Sequence, residues 1–282
     1  MNFLLPFVVF LVAACVAVPL SRKSGFGSVL GYLVAGVIIG PWCLKLVTGV
    51  DALLNFSEIG VVLLLFVIGL ELQPSRLWAL RRTIFGMGTV QVVASTVLLT
   101  LAAHALGLAW VPALVAGFGL SLSSTAFVLQ MLGEKKQLMD HHGRAAFGIL
   151  LFQDIAAIPV LALLRVVHGG EPVHQAHFLI SVIVIVVVVA ALVVGGRYVL
   201  RPVFRFLMQF GNPEIFTAAA LLIVLGAGLI ANAIGLSMSL GAFIAGVLLA
   251  DSSYRHELEA NIEPFKGLLL GLFFVAVGMS VN

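Results

Sequence analysis

Residues Gly143–Arg165 read GRAAFGILLFQDIAAIPVLALLR, and this stretch decides the class of the molecule. At a rise of 1.5 Å per residue, about 20 apolar residues cross the hydrocarbon core of a bilayer. Arg144 and Arg165 bracket one such length, and the only charge between them is Asp154, beside Gln153. Asp154 is therefore expected near mid-helix and near mid-membrane. A lone carboxylate at that depth costs roughly 3 kcal/mol or more, and proton or cation binding is the usual reason to keep one. The structural alternative is a buried carboxylate held by a basic residue or a hydroxyl. Pro159 removes one backbone hydrogen bond just beyond the acid, which predicts a bend or opening there.

Composition agrees with a membrane class. The chain has 282 residues, 62% hydrophobic and 10% charged, whereas soluble domains carry about a quarter charged residues. An all-α polytopic membrane protein follows, in contact with lipid. The net charge of +3 does not imply nucleic acid, because the basic residues are scattered between apolar runs. Cys15 and Cys43 form neither a disulfide framework nor a metal pattern. Leu11–Cys15 (LVAAC) resembles a lipoprotein cleavage box. No Lys or Arg precedes it, however, and Arg22 and Lys23 follow it, which favours an uncleaved first span with its N-terminus outside.

Ten apolar runs are expected as helices: 2–20, 26–43, 54–72, 84–107, 110–132, 144–166, 178–200, 213–233, 238–251 and 264–281. With the N-terminus outside, thirteen of the fifteen Lys and Arg residues fall in inside loops, and only Lys45 and Arg165 fall outside. That is the asymmetry of the positive-inside rule.

The runs also repeat. Leu30–Ile39 (LGYLVAGVII) recurs as Leu240–Leu249 (LGAFIAGVLL), 210 residues on. LFVIGL at 65–70 recurs as FVAVGM at 274–279, 209 residues on. Runs two and three thus echo runs nine and ten across an odd number of crossings, so the copies have opposite orientation. An inverted-topology repeat is expected, with 1–166 as the first copy, 178–200 as a linker helix and 213–282 as an incomplete second copy. The chain stops short of counterparts for runs four to six and ends on GMSVN without a polar tail. A piece of a longer transporter is expected.

Run five carries GFGLSLSSTAFVLQ (117–130), a hydroxyl cluster behind Gly117 and Gly119. Hydroxyls and glycines loosen a membrane helix, and a broken helix presents backbone dipoles to an ion at mid-depth. Helix–helix packing alone also collects Ser and Thr. Beside the Asp154 run, the cluster makes Ser123, Ser124 and Thr125 candidate ion ligands with Gln153 and Asp154. Ionised, a single carboxylate binds one cation; protonated, it binds none well. It therefore exchanges one for the other. Lys266 is a candidate charge partner or an interfacial lysine. His168, His174 and His177 match no standard zinc spacing. No resident metal is expected.

Four stretches carry a resemblance to a known family: Leu122–Glu134 (LSSTAFVLQMLGE), residues 143–159, residues 235–279 and Gly31–Trp42 (GYLVAGVIIGPW). They resemble the membrane domain of the monovalent cation:proton antiporter-2 family, most closely its Kef-type, glutathione-regulated potassium-efflux branch. The Gln153–Asp154 pair is specific, since sodium-type relatives usually show Asp-Asp or Asn-Asp. The resemblance implies the inverted-repeat antiporter fold with a discontinuous crossing helix and thirteen helices, of which this chain holds about ten. It also implies a homodimer working by an elevator-like movement in the inner (plasma) membrane. Asp154 would be the shared proton and cation carboxylate. A gating loop reading HALESDIEP in the family reads HELEANIEP here (256–264). His256, Glu257, Glu259, Asn261 and Glu263 are thus candidate gating residues, with Asn261 in place of Asp and Glu257 in place of Ala. The cytosolic nucleotide-binding domain, through which nucleotide or glutathione acts, is absent from this chain. A cytosolic regulatory domain or ancillary subunit is the implied partner, and no cofactor is expected in the chain itself.

The resulting expectation is K⁺/H⁺ antiport, electroneutral with one core carboxylate. An Na⁺/H⁺ antiporter of the same family and a ligand-gated potassium efflux system are the alternatives. No TVGYG-like filter occurs, against a channel. No Ser–His pair, two-Asp pair or HExxH lies in the runs, against an intramembrane hydrolase.

Overall fold

A computed structural model describes residues 4–47, 50–72, 81–167, 213–234, 236–252 and 254–281. All regular structure among them is helical. The linker run 178–200, Arg76 and the three outer-loop histidines lie outside the described residues.

The helices are α1 (Leu4–Lys23), α2 (Gly27–Ile39), α3 (Val50–Glu71), a π-helical turn (Thr83–Met87) leading into α4 (Gly88–Ala105), α5 (Trp110–Ser121), α6 (Thr125–Glu134), α7 (His141–Val167), α8 (Pro213–Ala233), α9 (Met238–Leu249) and α10 (Arg255–Ser280). Among the described residues, five stretches are long and apolar enough to cross a membrane: Leu53–Glu71, Thr83–Ala105, Trp110–Glu134, Glu214–Ala233 and Arg255–Ser280. The short helices α2 and α9, of 13 and 12 residues, reach only about 20 Å.

One expectation sharpens and two change. Run five is two helices, because the chain is extended at Leu122 and Ser124. The helix does not open beside Pro159. α7 is helical through that position, since one missing hydrogen bond is tolerated in a membrane helix. The candidate gating loop is not a loop either. His256, Glu257, Glu259, Asn261 and Glu263 form the opening turns of α10. Leu258 and Ile262, one helical turn apart, are both fully buried and pin these turns into the core.

The chain divides into two compact units, 1–73 with 184–282, and 74–183. The division does not follow the two sequence copies, because parts of both copies share the first unit. In it, α3 packs on α9 and α10, α2 on α1 and α10, and α8 on α9. Phe66, Leu63, Leu70, Val224, Leu249, Leu258 and Ile262 fill its core.

The glycines of the repeat explain this packing. A Cβ on Gly36 would strike the Val275 carbonyl, and one on Gly246 would strike that of Phe66. A Cβ on Gly278 would meet the Leu33 carbonyl, and one on Gly69 that of Phe243. Each second contact is the first one carried across the 209–210 offset. Likewise Gly31 sits against Ala17 and Ser21 of α1, and Gly241 against Ala227 and Ala231 of α8. Gly60 faces Leu269, its own counterpart at offset 209. A position that meets its own counterpart lies on the axis relating the copies, here the crossing of α3 and α10. Glycine is required at these sites because the backbones touch.

Candidate functional site

The second unit is built around the break between α5 and α6. α4 and α5 pack closely at Gly117, where a Cβ would strike Thr100 Oγ1. On α7, successive side chains point about 100° apart, and three neighbours use this. Phe152 fills the space over Gly88 and meets Phe85 edge-on, ring centroids 6.3 Å apart. Gln153 turns into the break. Asp154 turns toward the start of α6, where its carboxylate faces the Thr125 side chain.

A break in a membrane helix strands backbone groups that water cannot reach, each costing several kcal/mol if unpaired. Gln153, 2% exposed, answers two of them. Its Oε1 accepts from the Ser123 N–H at 2.9 Å, and its Nε2 donates to the Ser121 carbonyl at 3.3 Å. The same Nε2 donates to Gln91 Oε1 at 2.8 Å. Gln91 in turn donates to the Ser121 carbonyl at 3.1 Å and to Ser95 Oγ at 3.2 Å. Ser121 Oγ donates to the Phe118 carbonyl at 2.7 Å and accepts from Thr96 Oγ1 at 3.1 Å. Ser124 caps α6, its Oγ accepting from the Phe127 N–H at 3.3 Å.

The sequence-derived residues therefore come together with different tasks. Asp154 and Thr125 set a carboxylate against a hydroxyl. Ser123 contributes its backbone N–H, and Ser124 its hydroxyl as a cap. Both amide ends of Gln153 bond to protein, so it supports the break. The C-terminal carbonyls of α5 and the N-terminal amides of α6 meet here with opposite partial charges. Among the described residues no Lys, Arg or His forms an ion pair with Asp154. Gln91 escaped the sequence reading. Its signal was available, as the one carboxamide in run 84–107.

The remaining candidates lie in the first unit. Lys266 Nζ is 2.7 Å from Glu263 Oε2 one turn earlier on its own helix. Asn261 accepts from Thr217 Oγ1 of α8 at 2.7 Å and donates to the Glu257 carbonyl at 2.7 Å. His256 stands 4.0 Å from Glu259.

The arrangement holds one carboxylate, a hydroxyl and open backbone dipoles on a broken apolar helix, with no nucleophile–base pair among them. It can bind and release a small cation or a proton. A profile described as sodium/hydrogen exchanger, transmembrane, matches residues 8–282. The chain belongs to the sodium/hydrogen exchanger family and is a polytopic membrane cation:proton antiporter domain, not an enzyme.

Proposed function

We propose that the protein exchanges K⁺ for H⁺ by alternating access, in the manner of the Kef-type branch that its motifs resemble. Asp154 carries either one proton or one cation. The carrying observation is its position, midway along α7 against Thr125 at the α5–α6 break. When Asp154 is ionised, the cation takes oxygen ligands from the carboxylate, the Thr125 hydroxyl and the backbone of 121–125. When Asp154 is protonated, the cation is released. One carboxylate allows one proton per cation, so the exchange is electroneutral. Potassium rests on the Gln153–Asp154 pair in place of two acids. The Na⁺/H⁺ antiporter is the second reading. A plasma-membrane location with the N-terminus outside, a homodimer and a cytosolic regulatory partner go with the same resemblance and the charge asymmetry.

The test is cation-driven proton movement in proteoliposomes loaded with a pH-sensitive dye, with K⁺, Na⁺ or Li⁺ outside. Proton movement driven by K⁺, insensitive to clamped voltage and absent in Asp154→Asn, is expected. A larger Na⁺ response transfers the assignment to a sodium exchanger. An unaffected Asp154→Asn variant overturns the mechanism.

A further inference from the structure

We infer that Gln91 is a positioning residue of the antiporter: it holds the Gln153 amide in one orientation and thereby fixes the unwound Leu122–Ser124 backbone beside Asp154. The inference rests on the antiport reading for its consequence, not for its geometry. Four bonds define the latch. Gln91 Oε1 accepts from Gln153 Nε2 at 2.8 Å. Gln91 Nε2 and Gln153 Nε2 both reach the Ser121 carbonyl, at 3.1 and 3.3 Å. Gln153 Oε1 is thereby left for the Ser123 N–H at 2.9 Å.

The orientation is forced by pairing rules. Turning the Gln153 amide over would set Oε1 against two acceptors and its NH₂ against a donor. Without Gln91, the Gln153 amide keeps its bonds to Ser121 and Ser123 but loses the one that anchors it to α4, and the penalty for turning over is reduced. The Ser121 carbonyl would keep one of its two side-chain donors, and the bond to the Ser123 N–H would rest on a less constrained amide. The break would sample several shapes, and a cation that needs backbone oxygens in place would bind more weakly. The hydrogen bonds of Gln91 go to Ser95, Ser121 and Gln153, so its effect on the acid passes through Gln153.

Two readouts on the full chain separate the latch from the transport reading. The first is hydrogen–deuterium exchange over residues 119–127 in lipid nanodiscs. Gln91→Leu is expected to speed exchange of this segment at least tenfold and leave α10 unchanged. The second is the half-saturating cation concentration in the dye assay. Gln91→Leu is expected to raise it about tenfold with a smaller change in maximal rate. Adding Gln91→Leu to Gln153→Leu should change it less than twofold, because both act on one latch. Should Gln91→Leu fail to insert, Gln91→Asn keeps an amide one methylene too short and carries the same expectation. Unchanged exchange in the 119–127 segment overturns the latch. Faster exchange with an unchanged half-saturating concentration overturns its role in cation binding, as do additive effects of the two substitutions. If wild type moves no protons with any cation, the antiport reading fails, and exchange alone decides the latch.

Discussion

Two regions of this chain solve the same problem in opposite ways. In the core of the first unit, where α3 and α10 cross, helices approach until carbonyls meet glycines, and the packing there is apolar side chain and backbone. At the α5–α6 break of the second unit, the helix is interrupted and its stranded groups are taken up by two carboxamides. Both regions are Gly-rich and both sit in apolar sequence. The difference lies in which helix carries polar side chains opposite the glycines. Val275 and Phe66 offer only carbonyls and bulk, so the backbones close up and stay dry. Gln91, Thr96 and Gln153 offer hydrogen bonds, so the chain can afford to open. Glycine permits both outcomes, and the facing residue selects between them.

The sharpest way to break the comparison is to remove the charge from the open region. Asp154→Asn is expected to lower cation-driven proton movement at least a hundredfold while the thermal midpoint changes little, since Asn keeps the shape and a partner for Thr125. If the midpoint fell by many degrees instead, the acid would be part of the packing, and the two regions would be alike.

Next is the closed region. Gly36→Val and Gly246→Val each press a side chain onto a carbonyl that cannot retreat. Each should cost about 3 kcal/mol, near the upper range for overpacking, read as a lower melting temperature in detergent. Because the two sites are counterparts across the repeat, the losses should agree to within about 1 kcal/mol. A large loss at one and none at the other would show that the sequence echo does not carry a shared packing role.

Thr125→Val sharpens the open region without adding charge. It keeps the shape and deletes the hydroxyl facing Asp154. A hydrogen bond to a charged group contributes about 1.5–3 kcal/mol, so a rise of roughly tenfold in the half-saturating cation concentration is expected. An unchanged value would place the cation away from Thr125.

Much of this contrast was legible in the sequence. Asp154 announced itself as a lone charge between Arg144 and Arg165, and the 117–130 cluster predicted a broken helix because polar residues and glycines coincided there. The repeat was visible from Gly31, Gly36, Gly69 and their counterparts, since contacts between backbones constrain residue identity strictly. Three things were not legible. Pro159 suggested an opening that α7 does not make, because a single lost hydrogen bond is a weak perturbation in a long apolar helix. The charges of 256–264 suggested a loop, whereas Leu258 and Ile262 decide the matter by burial. Gln91 stood out as the one carboxamide of its run, but its pairing did not, because its partners lie 30 and 62 positions away and no spacing rule within one helix reports such a pairing.

The smallest expected effect belongs to Lys266→Met. Lys266 bonds Glu263 at 2.7 Å, its side chain 14% exposed and that of Glu263 55% exposed. Such a pair is one-sidedly open to solvent, and exposed ion pairs contribute about 0–1 kcal/mol. Met keeps the apolar stem that packs along α10, so stability should fall by less than about 1 kcal/mol. If Lys266 only anchors the end of α10, cation-driven proton movement should stay within about twofold of wild type, with the same half-saturating concentration. If it balances the charge of Asp154 during the transport cycle, both should shift at least tenfold, and Glu263→Gln, which frees the lysine without removing it, should leave them unchanged. The Lys266→Met and Glu263→Gln pair thus decides whether the dry region contributes a charge to the open one or only a scaffold.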